Sequence, residues 1–485
     1  MVTSSVPRII VGGTAAGAGK SLVVFALLVA LHKRGLSVSC CVTGESLHQA
    51  ILYSHVTRRY SRVLDTRLLD AEQIKSALYQ ASIGADVVII DGHGGWLDGT
   101  EPYDLAGSDA QLARATGTPI VLVHDTSGDP QAVVDSARHA IAQHGAPSVA
   151  ACIANRLCSV PAGTPCITHP LVEALNQAAQ ANQLPRCIGG LPETPLAADF
   201  PSAGTTQNQA PAAVPMQLFI EAGNLAGSGI DVDALLAIAA SAPPLRADDP
   251  VSEPGRRLCR IAVTDDSCFS LLYPDNLDML RHAGAEIVPF SPLVDGSLPK
   301  RIGGLYVTGA YLQAYGRELS ENDNIRRSIK QFADAGGVLY SEGAGSAFLC
   351  RTFQFERGGP VFQGAGVIPA EALPAALGRT LVTGQTIDDT VLGFSGLRLK
   401  GLSLGDWSIG GLHAGYGRYL VNTMQLLAAG REPVPEGFSA SSQSFSTFAF
   451  LHFGSCFSVA KTLVEAAQVV ERARERSESA SPAPR

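Results

Sequence analysis

One short stretch constrains the fold of this chain more than any other: Gly12-Gly13-Thr14-Ala15-Ala16-Gly17-Ala18-Gly19-Lys20-Ser21. It follows a short apolar run, Arg8 to Val11, and leads into a helix-compatible stretch, Ser21 to Lys33, ended by Gly35. Small residues let backbone N–H groups close around phosphate oxygens. Lys20 would then reach the β- and γ-phosphates, and Ser21 would ligate Mg²⁺. The usual spacing is G-x-x-x-x-G-K-[ST]; here Thr14 holds the first Gly place and Gly13 stands one residue earlier. Such a loop joins a strand to a helix, and the chain supplies the rest of a sheet. Val38 to Val42, Val87 to Ile90, Ile120 to Val123 and Val149 to Ile153 are short β-branched runs separated by helix-length segments. That alternation predicts a parallel sheet covered on both faces.

The carboxyl ends of those runs carry the candidate chemistry. Asp91 ends one strand, as an acid near Mg²⁺ would, or as a plain Asp-Gly turn would. Asp98-Gly99 closes the same loop. Asp125 and Asn155-Arg156 follow later strands and are candidates to face the nucleotide, with turn roles as the alternative. His48, His55, His93 and His124 are expected at or near the same edge, where ordinary loop histidines are favoured over a metal site because their spacing fits no ligand template.

The chain has 485 residues, more than one core usually organises, so two or three domains are expected. At 46 % hydrophobic and 16 % charged it suits a packed globular protein. A net charge of −8 without a basic stripe argues against nucleic acid as the main partner. The longest apolar stretch, Leu22 to Leu31, is too short for a bilayer, and no signal peptide is seen, so a cytoplasmic protein is expected. Ten Cys without paired spacing read as reduced thiols. Ala240 to Arg257 reads as a linker, and Pro195 to Pro215 as a loop or cover. A second α/β unit starts near Arg260. The expected division is 1–239, a linker 240–257, 258–470, and a disordered tail 471–485.

Inside the second unit, Val338-Leu339-Tyr340 enters the turn Ser341-Glu342-Gly343-Ala344-Gly345 and a helix-compatible stretch follows. That is the shape of a nucleophile elbow. Its tip has no nucleophile.

Taken together these motifs resemble cobyrinate a,c-diamide synthase and related a,c-diamide synthases acting on other tetrapyrroles, over about the whole chain. The resemblance rests on Gly13 to Ser21, which suits the dethiobiotin-synthetase-like branch of P-loop proteins, and on Ser61 to Asp65 and Ile89 to Gly99. It rests more specifically on FSLLYPDNLDMLRHAGAEIVPFSPL (Phe269 to Leu293) and LHFGS (Leu451 to Ser455). It implies a P-loop parallel sheet followed by a flavodoxin-like class I glutamine amidotransferase domain. It also implies an ATP- and Mg²⁺-dependent enzyme that activates carboxylates as acyl-phosphates and converts them to amides with ammonia from glutamine. On this reading Gly13, Thr14, Gly17, Gly19, Lys20, Ser21, Asp125 and Asn155 bind nucleotide, and Ser21 and Asp91 the metal. Arg59, Arg62, Tyr273 and Asn276 become candidates to bind substrate.

The departures are equally specific. The family's elbow reads A-E-C-G-G, which puts Gly343 at the nucleophile; its Y-x-H-x-H-F motif puts Phe450 at the activating His and leaves His452 at the second, packed one. Glycine can form no thioester, and Cys350 lies two helical turns on. The Gly-Gly oxyanion loop is altered to Thr308-Gly309-Ala310-Tyr311. After the second strand the family's two Asp are replaced by Ser46 and Gln49, with Glu45 one position away as a stand-in. A ligase using free or partner-supplied ammonia on a tetrapyrrole or other polycarboxylate, without glutaminase activity, is the first expectation. A non-catalytic carrier, scaffold or regulator is the alternative, and a P-loop ATPase switch a third. Pairing into a homodimer is compatible with a P-loop sheet.

Overall fold

The computed structural model describes residues 2–99, 105–128, 135, 149–158, 160, 164–182, 184–200, 214–248, 255–410, 421–428 and 430–480. The chain divides into two compact units, residues 1–206 with 211–250, and residues 207–210 with 251–485. Each is described by itself.

The first unit is a seven-stranded, all-parallel sheet. Its strands lie in the order Arg62–Val63, Val38–Val42, Val87–Asp91, Arg8–Gly13, Ile120–Asp125, Val149–Leu157, Cys187–Pro192. The strands Val38–Val42, Val87–Asp91 and Arg8–Gly13 are buried along their whole length. That is why they read as unbroken apolar runs rather than alternating ones. The helix Lys20–Lys33 is buried on nearly every side and carries no amphipathic stripe. Such a helix lies inside the layers, against Met216–Gly229 among others.

The linker expectation changes here. Part of the stretch read as a linker is a strand: Leu245–Ala247 pairs antiparallel with Val2–Ser4. Buried Arg8 fastens the same stretch by donating to the carbonyls of Thr116 (2.9 Å) and Pro243 (2.6 Å). Pro and polar residues gave a linker composition, but those long-range partners order the segment. The segment Pro195 to Pro215 contains the short helix Leu196–Asp199, and its remainder lies largely outside the described residues.

The second unit has a ten-stranded sheet. Its parallel half runs Ala285–Phe290, Cys259–Thr264, Gly304–Val307, Val338–Ser341, Ser444–Ser446, which in chain order is 2-1-3-4-5, the flavodoxin-like order. Antiparallel strands then extend the sheet through Val434–Ser439, Val421–Leu427, Thr380–Thr386 and Arg398–Ser403 to Ala449–Leu451. The expected tail from 471 is helical to Ala480, the end of a helix starting at Ser458. Glu471 accepts from the Arg260 backbone N–H at 2.6 Å, and Arg474 lies over the Phe332 ring. Those anchors outweigh the charged composition that suggested disorder. Among the described residues no helix is long and apolar enough to cross a membrane.

Candidate functional site

Two places carry chemistry-bearing residues: the carboxyl edge of the first sheet, and the elbow after Val338–Ser341 in the second unit.

At the first, the glycine-rich loop leaves the strand Arg8–Gly13 and enters the helix Lys20–Lys33 through Gly19, held at φ 82°. A side chain there would also strike Asn155 Nδ2, at 2.2 Å. Lys20 is buried, and its Nζ donates to the Gly94 carbonyl at 2.8 Å. Asp91 is buried beside it. The Tyr53 hydroxyl donates to Asp91 Oδ2 at 2.6 Å, while Asp91 Oδ1 is buried without a hydrogen-bond partner. Burial pushes the Asp91 carboxyl up; the Lys20 ammonium and the hydroxyls of Tyr53 and Ser21 oppose this. Ser21, Asp91 and Lys20 therefore converge.

Among the described residues no three His, Cys, Asp or Glu side chains form a ready metal site. An unpaired acid oxygen beside the Ser21 hydroxyl suits instead a cation that takes its other ligands from phosphate and water, as Mg²⁺ does.

The other predicted residues divide. Asn155 braces the loop, its Nδ2 donating to the Ala18 carbonyl at 2.9 Å. Thr14 is fixed to the Val123 carbonyl through its N–H, at 3.0 Å. Asp125 pairs with Arg156; burial would raise its carboxyl, but the Ser127 N–H and hydroxyl and the Arg156 guanidinium hold it low. Asp98 accepts from Gly95 N–H at 2.6 Å and closes the loop that receives Lys20. His93 lies over Gly44, where a Cβ would meet its ring at 2.3 Å. Its imidazole is held low by burial and by Arg67 and Lys20, with Glu45 and Asp65 opposing. His124 is buried and pushed down to about 4 by burial, hence neutral. His48 is buried too.

Three residues are not where they were expected. His55 lies in the last turn of the helix Leu47–Thr57, against Phe219, away from the carboxyl edge. Arg59 and Arg62 lie with Arg58 along a cavity of about 520 Å³ beside the edge strand, and Arg59 donates to the carbonyls of Ile83 and Gly84. Their spacing is that of the motif, but Arg59 follows the far end of the helix Leu47–Thr57, and Arg62 stands on the edge strand opposite Cys41 and lines the cavity.

Two residues at the edge escaped the sequence reading. Arg67 grips buried Asp65, with Nη2 2.6 Å from Oδ2, and stands two residues past the stretch Ser61 to Asp65 that signals it. Asp109 accepts from Thr43 Oγ1 at 3.0 Å and from His93 N–H at 3.1 Å.

In the second unit, Gly343 occupies the elbow tip at φ 55°, ψ −140°, and the helix Ala344–Leu349 follows. A non-glycine residue would be strained there. The space is also taken: a Cβ on Gly343 would lie 2.3 Å from Phe450 Cζ, and one on Gly309 2.4 Å from Phe450 Cε1. The wholly buried Phe450 ring thus fills the ground between elbow and oxyanion loop. The latter, Gly309–Ala310, is committed to a ladder with Phe269–Leu271. Cys350 is buried, its thiol pushed well up by burial.

Beneath the tip Glu342 is buried and accepts from the hydroxyls of Tyr306 and Tyr340 (2.9 Å for the latter). Burial pushes its carboxyl up to about 7, against the pull of those two hydroxyls and the Leu451 N–H.

Tyr273 and Asn276, candidates for substrate contact, are buried instead. Asn276 donates to the Leu451 carbonyl and accepts from Phe453 N–H, both at 2.8 Å. Tyr273 packs at a tilt against buried His452, centroids 4.6 Å apart. A short Y-P-D-N-L motif is readable; that its polar atoms face inward is not.

Residues 260–401 match the model of the CobB/CobQ-like glutamine amidotransferase domain. The cobyrinate a,c-diamide synthase of Leptospira interrogans (strain 56601) is 30% identical over 410 residues, covering 82% of this chain and 85% of that protein. The chain belongs to the cobyrinate a,c-diamide synthase family. The hydrogenobyrinate a,c-diamide synthase of Streptomyces coelicolor is 27% identical over 442 residues, covering 82% and 86%, and the Picrophilus torridus cobyrinate a,c-diamide synthase is 26% identical over 442 residues, covering 89% and 92%.

Two outcomes are expected within this family member. Gly343→Cys alone should cost roughly 2 kcal/mol or more in denaturant unfolding, from overpacking against Phe450, and adding Phe450→His should recover much of it. A Glu342 carboxyl raised from its ordinary 4.5 to about 7 stabilises the fold at acid pH, and that contribution is lost as pH rises through about 7. Glu342→Gln should therefore gain stability relative to the parent between pH 5 and pH 8, measured by melting at several pH values.

Proposed function

We propose that this chain is an ATP- and Mg²⁺-dependent amidoligase that acts on side-chain carboxylates of a cobyrinate-type tetrapyrrole, using free or partner-supplied ammonia. The observation that carries the reading is a contrast within one chain. The phosphate-loop side chains Lys20, Ser21 and Asp91 converge, whereas the elbow tip is glycine beneath a phenylalanine ring.

The reaction has two steps. A substrate carboxylate oxygen attacks the γ-phosphorus of ATP, and the bond to the β,γ-bridging oxygen breaks, releasing ADP. Ammonia then attacks the acyl-phosphate carbon; inorganic phosphate leaves with the C–O electron pair and the nitrogen loses a proton, giving the amide. Lys20 follows the charge on the transferring phosphoryl, and backbone N–H groups of the loop hold the phosphates in line. Mg²⁺ held by Ser21 and Asp91 would neutralise phosphate charge. The second step needs no protein nucleophile once ammonia is present. Gly343 offers no thiol, and Phe450 no base, for releasing ammonia from glutamine. The protein would work in the cytoplasm, where ATP and ammonium are available.

A second reading is favoured by positions 46 and 49. Ser46 and Gln49 carry no carboxylate, and Gln49 lies beside the Tyr53 hydroxyl. A site that binds nucleotide and tetrapyrrole without turnover would make the chain a carrier, scaffold or regulator.

Incubation with ATP, Mg²⁺ and a cobyrinate-type polycarboxylate separates the two readings, with ammonium chloride or glutamine as alternative nitrogen sources and mass spectrometry as the readout. Amide is expected with ammonium and not with glutamine. Lys20→Ala should abolish both the amide and measurable ATP binding. Bound ATP without amide in either tube favours the carrier; amide from glutamine overturns the reading of Gly343 and Phe450.

A further inference from the structure

We propose that Asp109 is a further residue of the phosphate-loop site, its Oδ2 holding a water of the cation that Ser21 and Asp91 ligate. It would thereby supply the carboxylate that positions 46 and 49 lack. The inference rests on the nucleotide-binding reading above and adds one residue to it.

Ser108 caps the helix Asp109–Thr116, accepting from Gln111 N–H at 3.2 Å, and so places Asp109 at the first helical position. An acid there is ordinary on a surface, where it meets the positive helix end. Asp109 is not on the surface: it is 1% exposed. One carboxylate oxygen is fixed from two sides, by Thr43 Oγ1 at 3.0 Å and by His93 N–H at 3.1 Å.

The other oxygen, Oδ2, is buried and has no hydrogen-bond partner. It occupies the place where a side chain on Gly92 would stand, 1.9 Å from an ideal Cβ. Gly92 directly follows Asp91, whose own Oδ1 is likewise buried without a hydrogen-bond partner. Thr43, Asp91 and Gly92 sit on adjacent strand ends, since Val42 pairs with Asp91. The Lys20 and Asp91 charges both act on the Asp109 carboxyl. Two buried carboxylates with one unpaired oxygen each are costly in a ligand-free protein. A hydrated divalent cation beside Lys20 offsets that cost, because its waters donate to acid oxygens.

The test counts metal rather than turnover. Mn²⁺ stands in for Mg²⁺, and electron paramagnetic resonance reads free Mn²⁺ in the presence of ADP. Asp109→Asn keeps an acceptor for Thr43 and His93 and removes the charge. It should weaken Mn²⁺ binding in the nucleotide complex roughly tenfold or more, leave ADP affinity in EDTA unchanged, and leave the ligand-free melting temperature no lower. Thr43→Val, which releases Oδ1, should weaken Mn²⁺ in the same direction by less.

Mn²⁺ affinity equal to the parent's in folded Asp109→Asn overturns the inference. If Asp109→Asn does not fold, parental affinity in Thr43→Val overturns it. Failure of the parent protein itself to bind ADP would overturn the nucleotide-binding reading and this inference with it. ADP binding by the parent with no effect of either variant removes Asp109 alone.

Discussion

An ammonium group cannot be buried alone, and Lys20 sets the terms for everything around the phosphate loop. Its Nζ rests on the Gly94 carbonyl, and Asp91 and Asp109 lie within reach of its charge. The loop that carries Gly94 is closed by Asp98, and the one that carries Lys20 is braced by Asn155. These groups come from three strands: Lys20 follows Arg8–Gly13, Asp91, Gly94, Asp98 and Asp109 stand at or beyond the end of Val87–Asp91, and Asn155 lies near the end of Val149–Leu157. The parallel order of the sheet brings those ends together, and the buried charge explains why so many of them are polar.

The second unit keeps the scaffold of an elbow and fills its working space with carbon. Glu342 still sits beneath the tip, held by Tyr306 and Tyr340, and the Ser341, Ser346 and Ser446 hydroxyls still link strand to helix. Above them a side chain at 343 and the ring at 450 exclude each other. A glycine at the tip and a phenylalanine on Ala449–Leu451 are therefore one packing solution. Two hydrophobic clusters of buried residues pack this unit around the glycine tip.

Legibility followed distance along the chain. Lys20, Ser21 and Asp91 stood in local motifs whose spacing alone places them, and the runs Val38 to Val42 and Val87 to Ile90 gave their strands almost residue for residue. Gly343 and Phe450 were legible as departures because the residues around them kept the pattern. Asp109 was not, because its partner Thr43 lies 66 residues away and no spacing links them. Arg59 and Arg62 kept motif spacing yet line a cavity beside the edge strand, because spacing does not say which way a side chain faces. The antiparallel strands from Thr380–Thr386 to Val434–Ser439 went unread; their short runs alternate weakly, and their pairing is set by neighbours far along the chain.

The central claim is that carboxylate activation and ammonia release have parted company in this chain. An isotope competition tests it most directly. The protein would turn over ATP and a cobyrinate-type polycarboxylate in ¹⁵N-ammonium with an excess of unlabelled glutamine, and the mass of the amide would be read. Amide nitrogen carrying the label of the ammonium, unmoved by the glutamine, is the result predicted. Product carrying unlabelled nitrogen in proportion to the glutamine would mean that the second unit still delivers ammonia, and would contradict the account.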